Sequence, residues 1–470
     1  MSETNAAASI TTAAPPRSTS RTSLPFARFT DADAMGDILW QRLSSWFAGQ
    51  DDRPTCAIEH SRYKTYLKVQ SRPRSSLSVC YRFGLTGCGA RSREVLVYVK
   101  AYLGGRSWSE WEKLAPLRDV DRHGSPPVIH LPELDAIAWR FPHDPALAHL
   151  REVIEPGRVR AHVPWRLLPH GVPGPDRTAV SSSVAHYRPE TRCTTRYDLR
   201  WNEAGAPREL TIYGKTFNGD EGRAIYDRMR HLWEISRQNA DHLRVPQPLA
   251  YTDAVHTIWQ HAVPGAPLLR VVDATNYVHY LDAVAKGLAT IHTSGLSGSI
   301  AITPDDHLAE SCKKSLKLSE AFPGLVRPLQ ALIRHLETEM PAAHTSRTLI
   351  HGDLQMHQLL ANGGHVAFLD FDECADGDPA QDLANVVVNL HFDGVPPTLV
   401  DAMSSVLLAS YRRAIDGEVP AHRLDWYARV QFLNKAYRAY LRHAPGVEAE
   451  VGHIVELAAR ATPFFPGKRS

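Results

Sequence analysis

The run from Leu349 to Asn385 holds carboxylates and amides in an order that can do chemistry. His351, Gly352 and Asp353 follow a short apolar segment and form a turn; Leu359 and Leu360 then open a strand that Asn362, Gly363 and Gly364 close. Asn-Gly-Gly is a strong turn signal. The chain returns through Val366, Ala367, Phe368 and Leu369 and delivers Asp370 at the strand's end, so one hairpin can gather Asp353, Gln358 and Asp370 around a small volume. That is the geometry of a metal and phosphate site. Phosphoryl transfer asks a protein for a carboxylate that orients the acceptor hydroxyl, hard oxygen ligands for magnesium, and a cation on the donor phosphates. The hairpin supplies the first two.

The pattern HGDLxxxQ followed by LDFDxxxxGDPAxDLA resembles the aminoglycoside phosphotransferase and choline kinase superfamily, relatives of the protein kinases. The resemblance implies Asp353 as the catalytic carboxylate, Gln358 and Asp370 as ligands of Mg2+, and His351 as a brace for the catalytic loop. The superfamily usually has Asn where this chain has Gln358; Gln offers the same amide oxygen on a side chain one methylene longer, as maltokinases do. Beyond Asp370, Asp378 suits a helix N-cap, Pro379 the first helical position, and Gln381 a returning capping-box hydrogen bond. Asp382 resembles a buried Asp that steadies the catalytic loop, and Asp372 is either a third carboxylate near the metal or a solvated neighbour. Too few residues separate Asp370 from Asp378 for a protein-kinase activation segment.

The elements that must carry this hairpin are those of a bilobal α+β fold, a protein-kinase-like pairing of an antiparallel-sheet small lobe with a mostly helical large lobe. From Val180 the chain reads as three strands, SSSVAHYR, CTTRYDLRW and ELTIYGKTF, then a helix from Asp220 to about Gln238 and a further strand pair. An earlier stretch, Thr65 to Tyr102, has the same order: TYLKVQS, SLSVCYRFGL and EVLVYVKAY. Arg72 and Pro73 match Arg188 and Pro189, Tyr81 matches Tyr197, Lys100 matches Lys215, and Trp139 and Trp259 fall at corresponding places. An internal repeat of one supersecondary unit is the reading. It divides the chain into a disordered tail over residues 1–30, a small-lobe-like cap domain over 31–170, a nucleotide-binding small lobe over 180–265, and a helical large lobe over 266–470 that carries the catalytic hairpin and the substrate site.

Within the second unit the resemblance makes Lys215 the cation on the phosphates of ATP, with a partner carboxylate among Glu221, Asp227 and Glu234. The loop from Arg188 to Arg192 sits where protein kinases have a glycine-rich phosphate loop but has no Gly, so contacts there fall to backbone amides and to Arg188 or Arg192. Trp259 to Val263, stopped by Pro264 and Gly265, reads as the hinge, with the backbone of Gln260 and Ala262 on the adenine edge. Helices are expected over 274–292, 307–318, 325–340, 398–415, 423–443 and 447–461 from their apolar spacing.

A formal net charge of +2 is too small to imply a polyanion partner, and no apolar run approaches the roughly 18 residues of a membrane span. Nucleic acid and membrane are thereby excluded as expected partners. Cys56, Cys80, Cys88, Cys193, Cys312 and Cys374 form no CxxC pair, which fits free thiols in a reducing compartment, so the cytoplasm is the expected location. The expected activity is that of an ATP-dependent small-molecule kinase acting on a hydroxyl of a sugar, polyol or other small alcohol. A nucleotide-binding pseudokinase used as an interaction module and an aminoglycoside O-phosphotransferase are the alternatives. Between Thr398 and His443 the basic residues outnumber the acidic ones, which disfavours a polycationic acceptor. Oligomeric state has no signal in the sequence.

Overall fold

Two antiparallel five-stranded sheets of the same strand order follow one another along the chain. The computed structural model describes residues 26–47, 52–64, 75–85, 93–114, 126–343, 348–460 and 464–465. The first sheet contains β1 (Thr55–Lys64), β2 (Ser76–Leu85), β3 (Arg93–Ala101), β4 (Val128–Leu131) and β5 (Ala136–Arg140), ordered β1-β2-β3-β5-β4. The second contains β6 (Ala179–Arg188), β7 (Arg192–Glu203), β8 (Ala206–Phe217), β9 (Pro248–Thr252) and β10 (Thr257–His261), ordered β6-β7-β8-β10-β9. Each third strand is followed by a helix, α2 (Arg106–Glu112) in one case and a longer one, Glu221–Gln238, in the other. Two short helices, α3 (Leu150–Ile154) and α4 (Pro156–Val159), connect the sheets, so the longer helix is α5.

The registers test the sequence correspondences one by one. Lys100 lies opposite Ser78 and Ile137, and Lys215 opposite Thr194 and Ile258. Tyr81 and Tyr197 sit opposite Val97 and Ile212, three residues before each lysine. The tryptophans do not correspond. Trp139 pairs with Tyr98 on the face of Lys100, whereas Trp259 pairs with Gly214 on the opposite face from Lys215, because a one-residue offset in a strand turns a side chain over. Ala138 holds the place equivalent to Trp259. The first strand of the first unit is Thr55–Lys64, earlier than expected, and residues 65–74, with Arg72 and Pro73, lie outside the described residues.

β2 is buried on both faces, and each face has its own reason. Tyr81 turns toward the N-terminal segment, where its hydroxyl donates to Phe29 O at 2.6 Å; Cys80, on the other face, joins a cluster with Tyr187, Cys193 and Tyr197 of the second sheet. Residues 26–30 are therefore not part of a disordered tail. Ala27–Thr30 form a 3-10 turn, and Phe26 and Phe29 are buried ahead of α1 (Ala32–Arg42), which Asp31 caps through Asp33 N and Ala34 N. An aromatic pair spaced to reach a sheet outweighs the polar composition around it.

The large lobe is helical: α6 (Tyr277–His292), α7 (Pro304–Ala321), α8 (Val326–Thr338), α9 (Pro379–Leu390), α10 (Pro397–Ile415), α11 (Ala421–Arg442) and α12 (Val447–Ala459). α9 is buried at every position from Ala380 to Leu390, so its Val-Val-Val run is a central helix and not an amphipathic one. The lobe also carries short strands. β11 (Ala266–Pro267) pairs with β13 (Leu359–Asn362), which turns through Gly363 and Gly364 into β14 (His365–Phe368), while β12 (Leu349–Ile350) pairs with β15 (Ala375–Asp376). Both turn glycines have positive φ, as a two-residue hairpin turn demands. Among the described residues no helix is long and apolar enough to cross a membrane.

Phe29→Ala removes a ring that is 4% exposed and should lower unfolding stability in denaturant melts. A loss of about 3 kcal/mol is expected; a loss under about 0.5 kcal/mol would return the segment to the surface class.

Candidate functional site

Asp353 follows a glycine that no other residue could replace. Gly352 has φ +85°, and a Cβ there would stand 2.2 Å from Glu373 O. The turn is held from below by Asp382 on α9, fully buried, whose carboxylate accepts from His351 N at 2.6 Å, Gly352 N at 3.0 Å and the His292 ring at 3.1 Å. Burial pushes the Asp382 carboxyl up, but these hydrogen bonds and the nearby histidines outweigh it and hold the group below the usual carboxylate range. His351 is buried as well; its Nε2 lies 2.9 Å from Leu369 O and its ring is 4.9 Å from Phe371, so it ties the turn to the strand that delivers Asp370. Gln381 does not close a capping box on Asp378. Its amide instead donates to Gly352 O at 3.1 Å and its oxygen meets His307 of α7 at 2.8 Å, a second brace on the same turn. Asp378 is the helix cap, accepting from Ala380 N at 2.9 Å and from Arg423 Nε at 2.7 Å.

Asp353 Oδ1 accepts from Gln355 Nε2 at 2.9 Å and from Arg438 of α11 at 2.6 Å. Among the described residues its Oδ2 has no hydrogen-bond partner. Gln358 is turned differently from the expectation: Nε2 donates to Asp370 Oδ2 at 3.2 Å, while Oε1 accepts from Gln355 N at 2.6 Å. The extra methylene lets the side chain fold back on its own turn, so the amide oxygen expected on a cation is engaged by the loop backbone.

Asp370 stands at φ +67°, the left-handed region that non-glycine residues reach only when surroundings compel it. Its carboxylate meets two cations there. Lys215 Nζ from β8 lies 2.5 Å from Asp370 Oδ1 and 2.6 Å from Asp372 Oδ2, and Arg192 at the start of β7 pairs with Asp372 and stands 3.6 Å from Asp370. Burial raises the Asp370 carboxyl, yet Lys215 and Arg192 hold it well below its ordinary value. Asp372 goes the other way: burial raises it, and Asp370's negative charge adds to that against the opposing pull of Lys215. Asp372 is thus a member of the cluster and not a solvated neighbour. Glu221, Asp227 and Glu234 make no ion pair with Lys215 among the described residues. What α5 sends to this region is Arg228, whose guanidinium donates to Cys374 O at 2.9 Å.

These groups line one cleft of about 1330 Å³ between the second sheet and the large lobe, together with Arg188, Gln260, His261, Val263 and Gly265. Ala262 does not line it. Its N–H is spent on Thr211 O at 3.2 Å, and His261 N on Gln247 O at 2.9 Å, so the first hinge amide without a backbone partner among the described residues is that of Val263. The hydrogen-bond ladder between β8 and β10 continues one residue past His261, which accounts for the shift. Arg188 projects into the cleft with no ion pair among the described residues; burial and the charges of Arg62 and Arg192 lower its guanidinium.

Residues 220–417 match the family described as the phosphotransferase enzyme family, APH. The matched residues include the HGDLxxxQ and LDFDxxxxGDPAxDLA runs. The protein is accordingly a phosphotransferase acting on a hydroxyl acceptor. Solved structures similar to it include choline kinase LicA from Streptococcus pneumoniae, 13% identical over 59% of this chain and 92% of that one, with a TM-score of 0.41. Macrolide 2'-phosphotransferase MphH from Brachybacterium faecium is 19% identical over 61% of this chain and 93% of its own, with a TM-score of 0.38. An aminoglycoside phosphotransferase is 14% identical over 60% and 94%, with a TM-score of 0.43. No curated protein sequence matches the chain. The phosphotransferase family segment begins at α5, so Lys215 and Arg192 lie before it.

The roles of His292, His307 and Gln381 as braces of the turn escaped sequence reading because each sits on a helix at a spacing that any surface or core residue could have. Asp382→Asn should replace an acceptor with a donor opposite two backbone N–H groups and cost about 3 kcal/mol. Asp370 and Asp382 are both held low in the fold, so the stability they add is complete above their unfolded pKa of about 3.9 and drains as the pH falls below it toward the folded values. Acid titrations of stability should therefore steepen below about pH 4, and Asp382→Asn should flatten that limb. An unchanged acid limb would remove Asp382 from this account.

Proposed function

We propose that the protein transfers the γ-phosphoryl group of ATP to a hydroxyl of a small, neutral or anionic alcohol such as a sugar or polyol. The observation that supports this best is the convergence of Lys215, Asp370 and Asp372 beside Asp353 in one cleft. Lys215 and Arg192 are the cations for the donor phosphates, with Arg188 above them. The adenine edge meets the hinge at the Val263 N–H and the His261 carbonyl, with Gln260 beside them.

Asp370 and Asp372 are hard oxygen donors that already converge within 2.6 Å of one cationic atom, which is a donor set suited to Mg2+. Among the described residues no group of three or more His, Cys, Asp or Glu could hold a metal, and an ion that keeps water and phosphate oxygens needs none. These two carboxylates would hold Mg2+, which when bound offsets the charge of the phosphates. Gln358 serves as the tether that aims Asp370, with its amide oxygen as a further ligand only if it leaves Gln355.

Asp353 offers Oδ2 to the acceptor hydroxyl while Arg438 and Gln355 fix Oδ1. The acceptor oxygen bonds to the γ-phosphorus as the bridge to the β-phosphate breaks; ADP leaves and the hydroxyl proton passes to Asp353. On the acceptor side Lys314 and Arg438 line the cleft with Asp306, Glu310 and Asp353; Lys314 reaches Asn434 at 2.7 Å, Arg438 is on Asp353 itself, and Lys435 stands behind them on Gln355 at 3.2 Å and Asn389 at 2.5 Å. The carboxylates there are already engaged, Asp306 in the cap of α7, Glu310 with Lys313 and Lys314 at 3.6 and 3.7 Å, and Asp353 with Arg438, so several ammonium groups on one acceptor would have to displace these partners.

Asp353→Asn should abolish transfer while ATP binding stays nearly intact, measured by ADP release across an alcohol and sugar panel and by calorimetry. Equal turnover in variant and wild type would sink the role of Asp353. A wild type that binds ATP and turns over nothing would favour the pseudokinase reading, and micromolar-range phosphorylation of kanamycin-type drugs would overturn the acceptor class. Gln358→Leu removes the tether of Asp370 and should weaken the magnesium dependence about tenfold or more; Gln358→Leu with wild-type magnesium dependence would free Asp370 from it.

A further inference from the structure

The turn that joins β6 to β7, Pro189-Glu190-Thr191, is gripped from outside its own sheet. Lys100 on β3 places Nζ 2.6 Å from Glu190 Oε1, and Lys64 at the end of β1 stands 3.8 Å from Oε2. The Glu190 N–H donates to Asp144 Oδ2 at 2.7 Å, and the same oxygen accepts from Tyr187 OH at 2.7 Å. Asp144 is 4% exposed and belongs to the segment that leaves β5. Glu190 has φ +60°, a conformation that a residue with a Cβ keeps only when its contacts hold it there. Burial raises the Glu190 carboxyl, but Lys100 and then Lys64 outweigh it and keep the pair ionised.

The same sheet also reaches the large lobe. Ser61 of β1 donates to Arg442 O at 2.5 Å, and the Tyr63 ring lies 5.4 Å from Tyr440 and 4.8 Å from His443 at the end of α11. That helix carries Arg438, the partner of Asp353. One sheet thus touches the tip of the small-lobe hairpin and the helix on the acceptor side of the cleft. Lys100 holds the register position that Lys215 holds in the second sheet, yet its ammonium is committed to Glu190 and lines no part of the cleft.

We propose that the first sheet is a fixed positioning element of the nucleotide site, in which Lys100 and Asp144 pin the β6–β7 turn and so set the affinity for the donor phosphates. The proposal rests on the reading of the cleft as a nucleotide site. A glycine-rich loop must be ordered when phosphates bind and loses conformational freedom in doing so; a turn already pinned has met that cost during folding. Arg188 and Arg192 flank the turn directly opposite one another, so their guanidinium groups go where the turn is held. Lys100 and Asp144 act through the turn and are positioning residues.

The test uses the full chain as wild type, Lys100→Met, Lys100→Arg and Glu190→Gln, with MgADP as the probe. Hydrogen exchange over residues 186–194 without nucleotide reads the pin, and calorimetric MgADP titration reads its consequence. Lys100→Met and Glu190→Gln should each speed exchange in that segment about tenfold or more and raise the MgADP dissociation constant about tenfold, while Lys100→Arg keeps both within about threefold of wild type. Thermal melts identify a variant that fails to fold, in which case the other single variant carries the comparison. Wild-type MgADP affinity in a folded Lys100→Met overturns the positioning role, whether or not exchange has quickened. A wild type that binds no MgADP overturns the nucleotide reading itself, a result separable from the first because it appears before any substitution is made.

Discussion

One ammonium group shared by two carboxylates joins the two lobes at the site. Lys215 belongs to the second sheet and Asp370 and Asp372 to the large lobe, so the ion cluster exists only when the lobes stand at the right separation. Two unit charges about 4 Å apart attract by roughly 4 kcal/mol at the effective dielectric of a protein cleft, and part of that is spent on desolvation. What remains is directional: Asp370 turns Oδ1 to Lys215 and Oδ2 to the Gln358 amide. On the proposed function, phosphate oxygens entering the cleft would compete for the same cations.

Next to that cluster the turn from His351 to Asp353 is fixed by buried hydrogen bonds. Asp382 has no water to turn to, and its two oxygens are used on the amides of His351 and Gly352 and on the ring of His292. Leaving any of those donors unpaired in a dry interior costs more than the bond itself contributes, which is what makes such a brace stiff. Gln381 of α9, backed by His307 of α7, repeats the device, and Arg228 fixes the following segment from α5. The turn is thus braced directly from α9, whose Asp382 and Gln381 are in turn held by His292 of α6 and His307 of α7.

The first sheet is joined to the rest through two different kinds of contact. Its Tyr81 face makes its own core with the N-terminal aromatic residues, and its Cys80 face lies on the β6–β7 hairpin. A sheet with one face closed by its own helix and the other closed by a neighbouring lobe is not an independent bead on a string, and separation would expose apolar surface. Continuity between that face and the Lys100 to Glu190 pair ties the packing of the unit to the shape of the turn over the cleft.

The sequence by itself determined the parts whose signals are local. Asn-Gly-Gly made the hairpin, Asp378 and Pro379 started α9, and the order of carboxylates in the 349–385 run identified the chemistry, because turn and cap preferences are set by neighbours in the chain. The two lysines at equal register were legible for the same reason. What the tertiary structure alone decided was every choice between partners far apart in sequence. Lys215 took Asp370 and Asp372 instead of a carboxylate on α5, the first hinge amide without a backbone partner among the described residues fell at Val263 and not Ala262, and Trp139 faced the side opposite to Trp259. Each of these depends on a strand offset or a lobe separation of one residue's length, and residue type carries no record of either.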